Sequence, residues 1–341
     1  MPERPAGQGP LVVDLAVTAG LAQQRGDEAV LRVAGRDVSR YSKLVVRDAS
    51  GTVRAGRLLA TSGSIRMLID DEGLRYPLAI DPIFLPPGTT FEPNQAEAGF
   101  GSAVAGAGDI NGDGYADMLV GAPRYDGVGA ESGRVYLYLG SAVGIATDAV
   151  PDAVLEGGQG EQFGAAVAGA GDVNGDGYQD VLVGAIGFSN GQTGEGRVCL
   201  YLGSAAGIAS GATPDWFTES NDALARLGTA VARAGDVNGD GYDDIVLGAP
   251  DYSVGSAVGG RAYVHLGSAT GIAGSGAVTF LDAGQASAAF GRSVAGVGDV
   301  NGDGYSDVVV GAPRYANGES LEGRVYLYLG SANGIANDPL A

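Results

Sequence analysis

Short apolar runs recur along this chain at a fixed interval. Asp117–Ala122 is a continuous apolar run. Arg134–Gly140 alternates instead, with Val135, Leu137 and Leu139 on one face and Tyr136 and Tyr138 on the other. Alternation with a period of two marks a strand with one buried face. Ahead of these two runs lies Ser102–Gly108, made of Ser, Ala, Val and Gly, and behind them comes the shorter Ala153–Glu156. The pattern returns three more times, with alternating members at Arg197–Gly203, Arg261–Gly267 and Arg324–Gly330. No segment sustains a helical period. Four short strands in about 60 residues make one propeller blade. The predicted fold class is therefore all-β, a β-propeller of four blades with four strands each, whose small first-strand residues suit a crowded central axis.

Between the first two strands of every unit stands the string Asp-Ile/Val-Asn-Gly-Asp-Gly-Tyr-x-Asp, starting at Asp109, Asp172, Asp236 and Asp299, at spacings of 63, 64 and 63 residues. A Phe-Gly or Leu-Gly pair precedes each copy (Phe100, Phe163, Leu227, Phe290), and a run ending in Gly-Ala follows it. A fixed period of this kind identifies a repeat architecture. Together these features resemble the FG-GAP repeat of integrin α-subunit propellers and of their relatives in bacterial surface proteins. The resemblance implies calcium-braced blades, partners docking on the face away from the metals, and a ring of seven blades where four repeats are present here.

Residues 1–85 form a separate β-rich module to which no function is assigned, and residues 86–341 form the repeat array. Strands are expected at Leu11–Val17, Ala29–Val33, Lys43–Arg47, Thr52–Ala60 and Ser64–Asp70. Arg75–Pro82 is similar to segments that precede FG-GAP arrays, and Pro82, Pro86 and Pro87 suggest a stiff linker. In the array, Thr89–Asn94 has no earlier blade to serve. Its pairing with Arg324–Gly330 would close a ring of four and cover a free sheet edge. The alternatives are a fragment of a larger propeller and a homodimer that completes the ring.

The nine-residue loop suits calcium, which takes six to eight oxygen ligands at roughly 2.3–2.6 Å. The candidate ligands are Asp109, Asn111, Asp113 and Asp117 with the Tyr115 carbonyl; Asp172, Asn174, Asp176 and Asp180 with Tyr178; Asp236, Asn238, Asp240 and Asp244 with Tyr242; and Asp299, Asn301, Asp303 and Asp307 with Tyr305. About four Ca2+ per chain are expected. An EF-hand needs a carboxylate at position 12, where this chain has Val120, Val183, Leu247 and Val310. The competing reading is a metal-free Asx-rich turn.

Charge narrows the partners. The chain has a net charge of −20, and the repeat array carries 30 acidic against nine basic residues. Such a surface repels nucleic acid and anionic lipid. One cysteine, Cys199, allows no intrachain disulfide, and one histidine, His265, argues against zinc and triad chemistry. Both fill slots that hold tyrosine in sister blades and read as packing positions. No apolar stretch is long enough to span a bilayer. The chain is expected not to be an enzyme, because its near-symmetric repeats leave little unique material for an active site.

The connections between the second and third strands vary most and must emerge opposite the calcium loops. They present Arg124, Tyr125, Phe188, Tyr252, Arg314 and Tyr315 as a candidate surface for a protein or glycan ligand. The expected function is a calcium-binding propeller for adhesion, outside the cell or on its surface, with an export signal upstream of this chain. Two alternatives are a module of a larger secreted polysaccharide-active enzyme and a rigid spacer in a surface protein.

Overall fold

A computed structural model describes residues 11–337 except 17–20, 26–27, 34–35, 48, 51, 71, 73, 75–78, 86–90, 94, 143, 146–149, 255–256 and 273–277. Residues 75–78, Pro86, Pro87, Thr89, Thr90 and Asn94 of the expected linker and closing strand lie outside the described residues. The chain divides into two compact units, Met1–Phe91 with Ala146–Ala149, and Glu92–Ile145 with Val150–Ala341.

The first unit is a seven-stranded antiparallel sheet. Its order runs Leu11–Ala16, Ser64–Ile69, Val53–Thr61, Arg36–Arg47, Glu28–Val33, Leu21–Arg25, and Ala79–Leu85 pairs with Arg36–Arg47. Ala29, Leu44, Val46, Ile65, Met67 and Ile69 form its core. Pro82 is not in a linker. It stands inside the strand Ala79–Leu85, opposite Leu44. A strand with only one neighbour tolerates proline, because the missing N–H is needed on one side only.

The second unit holds the blades. Blade one pairs Ala103–Gly108, Asp117–Ala122, Arg134–Tyr138 and Ala153–Glu156 in sequence order. Blade two uses Phe163–Gly171, Asp180–Ala185, Arg197–Tyr201 and Trp216–Glu219, and blade three uses Ala230–Gly235, Asp244–Ala249, Arg261–His265 and Val278–Leu281. Among the described residues blade four has three strands, Ser293–Gly298, Asp307–Ala312 and Arg324–Tyr328. In every blade the first strand ends in a register shift just before the loop aspartate, at Gly108, Gly171, Gly235 or Gly298. Gly108 has a φ of +77°. A bulge there bends the strand and aims the acidic loop.

The core lies between blades. Leu119, Val135 and Leu137 of blade one pack with Val181, Val183, Cys199 and Tyr201 of blade two. The same layer recurs between blades two and three and between blades three and four. Backbone bonds join neighbours as well, from Gln179 N–H to Asp109 O, Asp243 N–H to Asp172 O and Ser306 N–H to Asp236 O.

Among the described residues no fourth junction is formed, and Thr89, Thr90 and Asn94 of the expected closing strand lie outside them. Arg324–Tyr328 pairs only with Asp307–Ala312, and Phe91–Pro93 form no strand. Val300 is 52 % exposed, while its sister residues Ile110, Val173 and Val237 are at 0 %.

Candidate functional site

Each acidic loop is held by its own amides. The Asp109 carboxylate accepts the N–H groups of Asp113 and Gly114 at 3.0 and 2.7 Å. In the later blades the first aspartate accepts three; for Asp172 they come from Gly175, Asp176 and Gly177 at 2.7–3.1 Å. Asn111 accepts from Asp113 N–H and donates through Nδ2 to the Asp113 carboxylate, which also accepts Tyr115 N–H. Asn174, Asn238 and Asn301 repeat this pattern with Asp176, Asp240 and Asp303. Four backbone amides, that of Gly304 foremost, hold the Asp299 carboxyl below the usual range.

The ninth-position aspartates differ, because all four are buried. Asp117 accepts Ile110 N–H and Gly140 N–H, each at 2.8 Å, and so ties the loop to the end of the third strand. Asp180, Asp244 and Asp307 make the same clip with Val173 and Gly203, Val237 and Gly267, and Val300 and Gly330. Burial lifts the Asp180 and Asp244 carboxyls to about 7. The two amide donors oppose the rise, and the neighbouring loop aspartates add to it. Burial lifts Asp117 in the same direction.

The donor set suits a hard cation: carboxylate, amide and carbonyl oxygens, with no sulfur or imidazole. No described Lys or Arg forms an ion pair with a loop ligand. In this structure the carboxylates turn to the loop amides, and among the described residues no three acidic, histidine or cysteine side chains are arranged to hold a metal ion.

Tyrosine at position 7 has a use that the ligand pattern does not show. The rings of Tyr178, Tyr242 and Tyr305 lie over Gly112, Gly175 and Gly239 of the preceding blade, where an added Cβ would come within 2.7–2.8 Å of ring carbon. Tyr115 of blade one is 42 % exposed. A carbonyl ligand alone needs no particular side chain, so the fourfold recurrence of tyrosine was the available signal.

On the connections between second and third strands, the aromatic residues are capped from within their own blades. The guanidinium groups of Arg134, Arg197, Arg261 and Arg324 lie 3.8–4.0 Å from the ring centres of Tyr125, Phe188, Tyr252 and Tyr315. All four rings are half-buried, whereas Arg124 and Arg314 are exposed. The structure thus leaves the two arginines outward and gives the rings a packing contact.

Tyr252 also lines a cleft of about 410 Å³ with Trp216, Tyr263, His265, Arg261 and Phe280. The chain's one tryptophan and one histidine meet there, ring centres 4.9 Å apart. Burial lowers His265 to about 4, and its Nε2 has no hydrogen-bond partner. Sequence reasoning treated His265 singly and missed Trp216; comparing outer strands across repeats, where Ala153 and Thr279 fill the tryptophan's slot, would have found it. Cys199 is fully buried, and burial pushes its thiol up to about 11.

Residues 100–138, 163–201, 227–265 and 290–328 match the FG-GAP repeat. Integrin alpha-IIb of Mus musculus is 38 % identical over 157 residues, which are 44 % of this chain and 15 % of that protein. Integrin alpha-4 of Xenopus laevis is 33 % identical over 222 residues, 62 % of this chain and 20 % of that protein. Phosphatidylinositol-glycan-specific phospholipase D of Rattus norvegicus is 38 % identical over 155 residues, 43 % of this chain and 18 % of that protein. The chain spans a fifth or less of the length of these relatives. The last of them corrects the expectation that the chain is not an enzyme. A relative named for an enzymatic activity matches as well as the integrins do. The reason is that repeats without a visible catalytic constellation do not decide what the protein that carries them can do.

Proposed function

Residues 100–328 of this chain are an array of four FG-GAP repeats of the integrin-like propeller type, and on that premise we propose that it is a calcium-binding propeller module for adhesion, working outside the cell. The observation that carries the metal assignment is the donor set repeated four times. Three carboxylates, an amide oxygen and a carbonyl share nine residues, and one carboxylate of each set is buried. Asp109, Asn111, Asp113, Asp117 and the Tyr115 carbonyl would hold the ion in blade one, and their counterparts would do so in the other blades. Bound calcium supplies the positive charge that offsets the clustered carboxylates, and binding to the folded state alone raises stability. Calorimetric titration of chelator-treated protein with calcium tests this reading. About four ions per chain are expected, and fewer than two would overturn it.

The ligand surface is assigned to the connections opposite the acidic loops, with Arg124 and Arg314 as its outward cations, and to a protein or glycan partner. An extracellular setting is supported by the integrin relatives and by the weak affinity typical of extracellular calcium modules. A second reading, favoured by the phospholipase relatives, makes the array part of a larger enzyme. Hydrolysis of a phosphatidylinositol-glycan by this chain would decide for it.

A further inference from the structure

All nine basic residues of the array (86–341) are arginines. Arg134, Arg197, Arg261 and Arg324 cap the aromatic rings. Arg233 is held by Asp243 at 2.7 Å. Four remain, and three of them, Arg226, Arg292 and Arg314, line one cleft of about 560 Å³ between the connections of blades three and four.

Its one acidic lining residue, Asp251, is 3.6 Å from Arg226. Arg292 and Arg314 are exposed and form no ion pair with a described carboxylate. The repeats supply an internal control. At the slot of Arg226 the other blades have Gly99, Gln162 and Ala289, and at the slot of Arg292 they have Ser102, Ala165 and Thr229. Arg226 and Arg292 are therefore no part of the blade framework, which forms without them elsewhere, and the slot of Arg314 holds arginine again only in blade one, as Arg124.

Three guanidinium groups against the one carboxylate of Asp251 leave a surplus of two like charges around one cavity, which is unfavourable unless something opposite in charge is bound. The rest of the array, with 29 acidic residues, repels anions, so this cleft is a local exception. A guanidinium offers a planar fork of donors that matches a group with two or more charged oxygens. The lining also includes Pro250, Pro313 and Leu224, which give apolar contact to the body carrying that group. The volume lies within the range of small-ligand sites, about 300–1,000 Å³.

We propose that this cleft binds an oxyanion, a carboxylate or sulfate, carried on a small organic body. The proposal refines the ligand-surface reading, from which it takes Arg314, and does not depend on the calcium assignment.

The test uses the full chain at fixed calcium and low salt, titrated by calorimetry with glucuronate, inorganic sulfate and, as the neutral control, glucose. Saturable binding of glucuronate or sulfate is expected at or below ~10 mM, with no binding of glucose. The double variant R292Q/R314Q, both positions being exposed, should weaken anion binding tenfold or more. R57Q, which removes one charge from an exposed position in the first unit, should leave it unchanged. Calcium stoichiometry measured on the same samples separates the two readings. Failure of both anions to saturate, equal binding of glucose, or equal loss in R57Q and the double variant would overturn the proposal.

Discussion

The ring of Tyr305 lies over Gly239 so closely that a Cβ on that glycine would stand 2.8 Å from the tyrosine Cε1, whereas the sister glycine Gly302 has nothing within 4 Å of the same point. Both glycines have positive φ, +74° and +76°. An alanine at either site bears the same left-handed strain of about 1–2 kcal/mol, and only Gly239→Ala also meets a neighbouring blade. With calcium saturating, Gly239→Ala should destabilise the array in denaturant unfolding by about 1–3 kcal/mol more than Gly302→Ala, the usual cost of overpacking. Equal losses would mean that the Gly302 face is covered in solution.

The same face of blade four can be probed without strain. Val325 is 71 % exposed, while Val135 and Val198, its counterparts in blades one and two, are at 0 %. Val135→Ala should cost about 2 kcal/mol through lost burial and a cavity. Val325→Ala should stay within about 0.5 kcal/mol, as surface changes do. A chain that pairs through this face would run at twice its mass of 34.0 kDa, and Val325→Ala would then weaken the pair. Sedimentation of both proteins checks this.

Two aspartates of one loop should separate metal binding from fold support. Asp113 is exposed and accepts only loop donors, Tyr115 N–H and Asn111 Nδ2–H. Asp113→Ala should remove one calcium ion of four and change metal-free stability little. Asp117 is buried against Ile110 N–H and Gly140 N–H. Asp117→Ala should lower metal-free stability by about 1–3 kcal/mol, the cost of unpaired buried donors. If both variants behave alike in chelator, the buried clip has no structural role apart from the metal.

The blades were legible because each repeat writes the same pattern four times. Asp117–Ala122 and Ala153–Glu156 occur as strands with the bounds that the sequence indicates. Whether the ring closes was not legible, because strand patterns within a repeat do not encode the angle between blades. In the first unit, Leu21–Arg25 escaped notice because Gln23, Gln24 and Arg25 break the apolar alternation. Pro82 misled by composition: an edge position admits it to a strand. The loops were found through their acids and their spacing. The buried clip of Asp117 and the arginine cleft were not, because each joins residues that are distant in sequence or differ between repeats.

His265 gives a dependence on pH whose sign can be worked out. Its imidazole is buried against Trp216 and stacked on Tyr263, and burial lowers it from 6.5 to about 4. Between those values the unfolded chain binds a proton that the folded chain refuses. The contribution of His265 to stability is therefore complete above pH 6.5 and is lost progressively as pH falls toward 4, with a slope of about 1 kcal/mol per pH unit. Asp180 and Asp244, raised to about 7, act in the opposite direction across much of this window, so the raw profile mixes several groups. They are common to wild type and variant and cancel in the difference. His265→Tyr restores the residue found at Tyr138, Tyr201 and Tyr328 in the other blades, and His265→Gln removes the titration without adding a larger ring. Both should flatten the acid limb of the difference profile between pH 6.5 and 4, measured by denaturant unfolding in chelator, whatever their effect on stability at pH 8. An unchanged limb in both variants would show that His265 is protonated in the fold, and that Trp216 leaves it open to water.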